Sequence, residues 1–127
     1  MTTISIILII LFYIQGILGT GYAKFSGDSR YNNFSPRVFL ESLEGAAKRS
    51  YWAHLNSNEA LPVFMTAIIC ANLSNVAPLY IHLLGGGAII FRIIYGIMYI
   101  KNLANLRSLI WSLSYLCKFI LLILCAL

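Results

Sequence analysis

The sequence predicts an all-α membrane protein, a four-transmembrane-helix bundle of up-and-down antiparallel topology. Three observations carry that expectation. Of 127 residues, 60% are hydrophobic and the mean hydropathy is +0.82, against roughly 45–50% apolar residues in soluble domains. Nine Lys or Arg stand against four Asp or Glu, and most of them lie in one block between Lys24 and Arg49. The rest of the chain falls into long apolar runs separated by short polar turns. Charges gathered so locally exclude a nucleic-acid-binding face. The three cysteines, Cys70, Cys117 and Cys125, all sit in apolar runs, where a thiol behaves as a small hydrophobe, and no disulfide framework is expected.

The first span is placed at residues 2–23. It carries no charge, and 22 residues at 1.5 Å each cover roughly the 30 Å of a bilayer core. A cleaved signal peptide is the rival reading. It is disfavoured because no Lys or Arg precedes the apolar run and "GILGTGYAKF" is a poor small-x-small cleavage site. The loop 24–45 follows, polar and charged.

Between Arg49 and Arg92 the only charged residue is Glu59, so two spans are expected there. They divide at "NLSNVAP", Asn72 to Pro78, where Asn, Ser and Pro supply turn chemistry. That places the second span at 46–73 and the third at 79–100. "KNLANLR", Lys101 to Arg107, is the next turn, and the fourth span covers 104–126. The loop 24–45 and the Lys101–Arg107 turn hold the basic residues, whereas the N-terminus and the Asn72–Pro78 turn hold none. By the positive-inside rule both basic loops face the cytoplasm and both termini lie on the other side. "LLGGGAII", with Gly85 to Gly87, reads as close helix packing, not as a phosphate loop, whose Lys and Ser/Thr are missing.

Polar residues at membrane depth are the functional clue, because an ionisable group there costs a few kcal/mol and is expected to face a partner, the bundle interior or a water-filled cavity. Glu59 and Arg92 lie at the same depth, each ~20 Å from the non-cytoplasmic boundary, and are expected to pair. On the second span Arg49, Trp52, Asn56, Glu59 and Val63 recur at steps of three and four, one helix face. Arg92, Tyr95 and Tyr99 do the same on the third. Arg107, Trp111, Ser114 and Lys118 do so on the fourth, with Ser108 beside the first. Three inward-facing polar stripes would make a donor-rich cavity open to the cytoplasm, suited to a small anionic or zwitterionic ligand. Lys118, ~16 Å from Arg107 along its helix, has two readings: a partner for Glu59, or a snorkelling side chain. His54 is expected to be a hydrogen-bonded helix residue. No second His, Cys or carboxylate stands at metal-ligand spacing from it, so no metal is expected.

"RSYWAHLNSNEALPVF" (Arg49–Phe64), "RIIYGIMY" (Arg92–Tyr99) and "LRSLIW" (Leu106–Trp111), in that order on successive spans, resemble the MAPEG family, the membrane-associated proteins in eicosanoid and glutathione metabolism. The similarity covers about Asn33 to Trp111, and "PRVFLESLEG" looks like the family's bacterial branch, which implies a bacterial inner membrane as the setting. The resemblance implies a homotrimer of four-helix protomers, with glutathione bound between neighbours near the cytoplasmic side. It also implies thiol chemistry on lipophilic small molecules drawn from the bilayer. Matched residue by residue, Asn56 and Glu59 fall on positions that hold the glutathione peptide, Arg92 on an arginine of the bundle interior, and Tyr99 on a glutathione-contacting tyrosine. Arg107 and Ser108 fall on the arginine and serine near the thiol, the expected catalytic pair. Arg49, His54 and Tyr95 complete the expected glutathione-binding set. Arg107 or the Ser108 hydroxyl donating to sulfur would favour the nucleophilic thiolate.

The sequence departs from the pattern where Trp52 and Leu55 stand in place of further arginines, and where Tyr95 replaces a histidine of one branch. The expected function is therefore a glutathione-dependent transferase or peroxidase acting on lipophilic electrophiles or lipid hydroperoxides. The alternative is a non-catalytic lipid-binding or scaffold member of the same family.

Overall fold

A computed structural model describes residues 1–26 and 30–127; residues 27–29 of the charged loop lie outside the described residues. The chain forms five helices, α1 (Thr3–Phe25), α2 (Pro36–Ser42), α3 (Gly45–Leu73), α4 (Pro78–Ile100) and α5 (Ala104–Leu124), with no strand among the described residues. The four long helices coincide with the four expected apolar segments to within a few residues. Three of them, α1, α4 and α5, are long and apolar enough to cross a bilayer. At 29 residues α3 is the longest, about 44 Å at 1.5 Å per residue, but it carries the polar stretch around Asn56 and Glu59. It continues through Pro62 without interruption.

The turns use the chemistry that the sequence offers. Both the α3–α4 and α4–α5 connections close a helix with an asparagine in the left-handed region, Asn75 at φ 56° and Asn102 at φ 59°. Behind the first, Val76 N–H donates to Ala71 O at 2.9 Å and Asn75 N–H to Asn72 O at 3.3 Å. Behind the second, Leu103 N–H donates to Met98 O and Asn102 N–H to Tyr99 O, both at 3.0 Å. These are paired Schellman bonds, which satisfy carbonyls that the helix end would otherwise leave bare in an apolar medium. Pro78 then starts α4 at a position where its missing N–H costs nothing.

Successive long helices run antiparallel, as their end-to-end contacts require. The Ser50 hydroxyl at the start of α3 donates to Gly19 O near the end of α1 at 2.7 Å. Arg49 Nε donates to Ile100 O at the end of α4 at 3.0 Å. At the other end, Asn72 Oδ1 accepts from Thr2 N–H at 3.2 Å, and Asn72 Nδ2 donates to Ser5 Oγ at 3.0 Å. The loop 30–45 and the Lys101–Leu103 turn therefore share one end of the bundle. α3 packs on α1, α4 and α5, and α4 also packs on α1 and α5.

Helices in lipid associate through close packing more than through a hydrophobic driving force, so small residues decide where they meet. The buried stripe of α3 is Ala47, Ser50, Ala53, Ser57, Ala60, Phe64, Ala67, Ile68 and Ala71. It faces Gly16 and Gly19 of α1, where an added Cβ would lie 3.2 Å from Ser57 Cβ and from Ser50 O respectively. Of the glycine triplet only Gly85 is tightly enclosed, by Leu8 and Ile68, with distances of 2.9 and 3.0 Å to an added Cβ. Phe12 stacks on Phe64 at a centroid distance of 4.2 Å in the middle of this core. Ranks of exposed Ile and Leu run along α1 and α4, apolar faces suited to lipid or to a neighbouring helix.

α2 was not foreseen inside the 24–45 loop. Its seven residues are too few to display a helical period. Pro36 starts it, and Phe39 and Leu40 bury against Ala23, Leu43 and Ala47. Lys48 Nζ closes the end by donating to the carbonyls of Leu40 and Glu41.

Candidate functional site

The polar stripe of α3 points outward from the single chain. Trp52 and Glu59 are exposed, and Arg49, Asn56 and Val63 are half-buried; the inward face is the small-residue stripe. This corrects the expectation of three inward polar faces, which holds for Arg92 and Tyr95 on α4 and for Ser114 and Lys118 on α5.

The expected Glu59–Arg92 pair does not form. Arg92 is 1% exposed, and its Nη2 donates to Asn56 O at 2.6 Å, to Asn56 Oδ1 at 3.3 Å and to Ser57 Oγ at 3.4 Å. Its Nε and Nη1 have no hydrogen-bond partner among the described residues. Equal depth fixes height along the bundle, not direction around a helix. At ~100° per residue Glu59 lies ~110° round α3 from the line midway between Asn56 and Ser57.

Five of the expected site residues do meet. Asn56, Tyr95, Tyr99, Arg107 and Ser108, with Trp111 and Ser112, line one open cavity of about 370 Å³ between α3, α4 and α5. A ladder of cations and rings shapes its wall. Arg92 Cζ lies 4.5 Å from the Tyr95 ring centroid. Tyr95 and Tyr99 meet edge to face at 5.5 Å, and Arg107 Cζ lies 4.4 Å from the Tyr99 ring centroid. Stacking on aromatic faces holds a guanidinium in place while leaving its in-plane N–H groups free to bind a ligand. Ser108 is differently engaged: its hydroxyl donates to Ala104 O at 3.1 Å within α5.

The other expected residues lie elsewhere. Arg49 caps the α4 C-terminus, where a cation suits the exposed carbonyls, and lines a separate cavity with Lys48, Trp52 and Asn102. His54 faces α1. Its Nδ1 donates to Gly16 O at 2.8 Å, which leaves Nε2 to accept from Asn58 Nδ2 at 3.0 Å. The expectation of a hydrogen-bonded helix residue thus holds for His54, and Asn58 has a role as its support. Glu59 is exposed on the outer face of α3.

Lys118 follows neither expected reading. It is fully buried, its Nζ is 3.5 Å from the Tyr115 ring centroid and 5.7 Å from that of Phe12, and it has no hydrogen-bond partner among the described residues. Sequence reasoning also missed Ser57, whose hydroxyl meets Arg92. Its signal was present in the small-residue period of α3.

A helical bundle with apolar outer faces and three helices of membrane-crossing length defines an integral membrane protein. The MAPEG family profile matches residues 1–127, the whole chain, and the chain belongs to that family. Family membership places it generally among membrane proteins of glutathione-related or eicosanoid metabolism. Among curated proteins and among solved structures, none matches.

Proposed function

We propose that the protein is a glutathione-dependent transferase or peroxidase for lipophilic electrophiles or lipid hydroperoxides, working as a homotrimer of four-span protomers. The observation that carries this reading is the cavity in which Asn56, Tyr95, Tyr99, Arg107 and Ser108 converge. Its donor set suits a peptide with two carboxylates and a thiol, since guanidinium, phenol, amide and hydroxyl groups all donate to anions. The exposed Glu59, one helical turn from Asn56, supplies the acceptor that the ammonium of glutathione needs, on a face left open for a neighbouring copy.

Glutathione, when bound, supplies the nucleophilic sulfur. Arg107 would hold it as thiolate by its positive charge and N–H groups, oriented through the Tyr99 ring. Ser108 would assist only by releasing its bond to Ala104. Asn56 would fix the peptide, itself fixed by Arg92. The basic loops would face the cytoplasm of a bacterial inner membrane, with both termini on the opposite side.

The test is calorimetric titration of detergent-purified protein with glutathione, alongside native mass measurement and turnover of a model electrophile. Binding at up to millimolar glutathione by a trimer is expected. Arg107→Ala should lower turnover by about 10²-fold, the scale set by losing one charge-stabilising donor, with a smaller effect on glutathione affinity. Ser108→Ala should cost less. Absence of binding at millimolar glutathione would sink the reading and favour a non-catalytic lipid-binding member, a role to which the exposed Trp52 and Leu55 are suited.

A further inference from the structure

α3 and α5 start at the same end of the bundle, beside the loop 30–45 and the Lys101–Leu103 turn, so they run parallel and keep step with each other. Asn56 of α3 and Trp111 of α5 line one cavity and mark where the two helices face each other. Fourteen residues further along each helix, ~21 Å towards the other end, stand Cys70 and Cys125. At ~100° per residue both have turned by the same ~40° from their starting points, so the two thiols inherit the facing of Asn56 and Trp111. Ser74 lies in line with Asn56, one turn beyond Cys70. The surroundings agree with this register. Cys125 packs on the core cluster to which α3 contributes Ala67, Ile68 and Ala71, and its thiol is close enough to Cys70 and Ser74 for both to act on it. Helix axes packed at about 8–10 Å, with Cα atoms about 2.3 Å from each axis, bring facing Cα atoms to roughly 3.5–5.5 Å; disulfides span about 4.4–6.8 Å.

We propose that Cys70 and Cys125 are a redox pair, closed to a disulfide by a thiol–disulfide oxidant on the side of the membrane opposite the basic loops, and that the bond clamps the end of α5 to α3. The side rests on the orientation proposed above; the pairing does not. Both thiols are free and half-buried. Cys125 follows the last residue of α5, and Cys70 lies four residues before the Ser74 cap of α3, so both are near the membrane surface, where water and an oxidant reach them. Disulfides persist in compartments beyond the cytoplasm. One cysteine, as thiolate, attacks a sulfur of the oxidant's disulfide and releases the other oxidant sulfur; its partner then attacks the protein sulfur of that mixed disulfide and expels the rest. Cys70 and Cys125 give up two electrons and two protons, and the oxidant becomes a dithiol. Cys125 Sγ now donates to Leu121 O at 3.0 Å, a weak contact that the covalent bond replaces. Cys117 is no competitor. It faces α4, where an added Cβ on Gly87 would lie 3.6 Å from its Sγ, and it is ~12 Å along α5 from Cys125.

The test uses the disulfide of mercaptoethanesulfonate, a charged oxidant that does not cross membranes. Detergent-purified full chain is treated with it, quenched with iodoacetamide and read by intact mass and peptide mapping. After oxidation Cys117 alone should be alkylated, with Cys70 and Cys125 joined within one chain, and the oxidised protein should melt higher than the reduced one. In Cys70→Ser the stranded Cys125 should instead carry the oxidant as a mixed disulfide, and oxidation should no longer raise the melting temperature. Alkylation of all three cysteines after oxidation, a bond that includes Cys117, a bond between chains, or equal melting of the two forms would each overturn the proposal. Sealed vesicles then test the side, with a cysteine at Asn75 in the Cys70→Ser/Cys117→Ser/Cys125→Ser chain as the marker. The pair should close when the oxidant is on the side from which that marker is labelled and the basic loops are not. Closure in detergent with none from that side would leave the pairing and overturn the assigned compartment.

Discussion

Lys118 shows how a residue legible as unusual in the sequence can still resist interpretation there. Spacing along α5 places it at mid-span but says nothing of its surroundings; those are set by Phe12 on α1 and Tyr115 on its own helix. It is buried with no hydrogen-bond acceptor among the described residues, and the ring face of Tyr115 offsets only part of the desolvation. Lys118→Met keeps the length and removes the charge. It should stabilise the protein by about 1–4 kcal/mol, the scale seen when a buried ion pair is replaced by apolar residues, read as a higher melting temperature in detergent. A lower one would mean that Lys118 holds a partner. The candidate site divides in the same way. Arg107, Tyr99, Tyr95 and Asn56 could be brought together from sequence because family motifs fix which helix faces converge. Glu59 and Arg92 could not be separated, because depth was known and azimuth was not.

At the level of elements, the long helices were legible because apolar length and turn residues are written locally. Asn72–Pro78 and Lys101–Arg107 announced their turns through Asn, Pro and charge. α2 was not legible, since its stability comes from Phe39 and Leu40 meeting Ala23 and Ala47 across the loop. The facing of α3 was misjudged for a related reason: in lipid the inner face of a helix is marked by small residues as much as by polar ones. The asparagine turns offer a clean check on local chemistry. Asn102 sits at φ 59°, where a β-branched side chain costs about 1–2 kcal/mol. Asn102→Val should lower stability by that amount, while Asn102→Gly should leave it unchanged or slightly raised, measured by thermal unfolding. Equal effects of the two would show that the Schellman closure is not what holds the α4–α5 turn.

At the level of the whole molecule, the charge pattern and the helix contacts agree on one polarity. The basic loop and the Lys101–Leu103 turn meet at the same end through Arg49 and Ile100, opposite the Asn72 junction with Thr2 and Ser5. With Cys70, Cys117 and Cys125 replaced by alanine, single cysteines at Arg37 and Asn102 should react with a membrane-impermeant maleimide from one side only. One at Asn75 should react from the other. Labelling of Asn75 and Asn102 from the same side would remove α4 as a full span and with it the four-span topology.

Arg92 lines a groove between α1 and α4 and, through Nη2, holds Asn56 in the wall of the cavity beyond. One guanidinium thus belongs to two compartments that share no other titratable group. Any change to the Arg92 side chain is therefore felt by Asn56 in the wall of the other cavity.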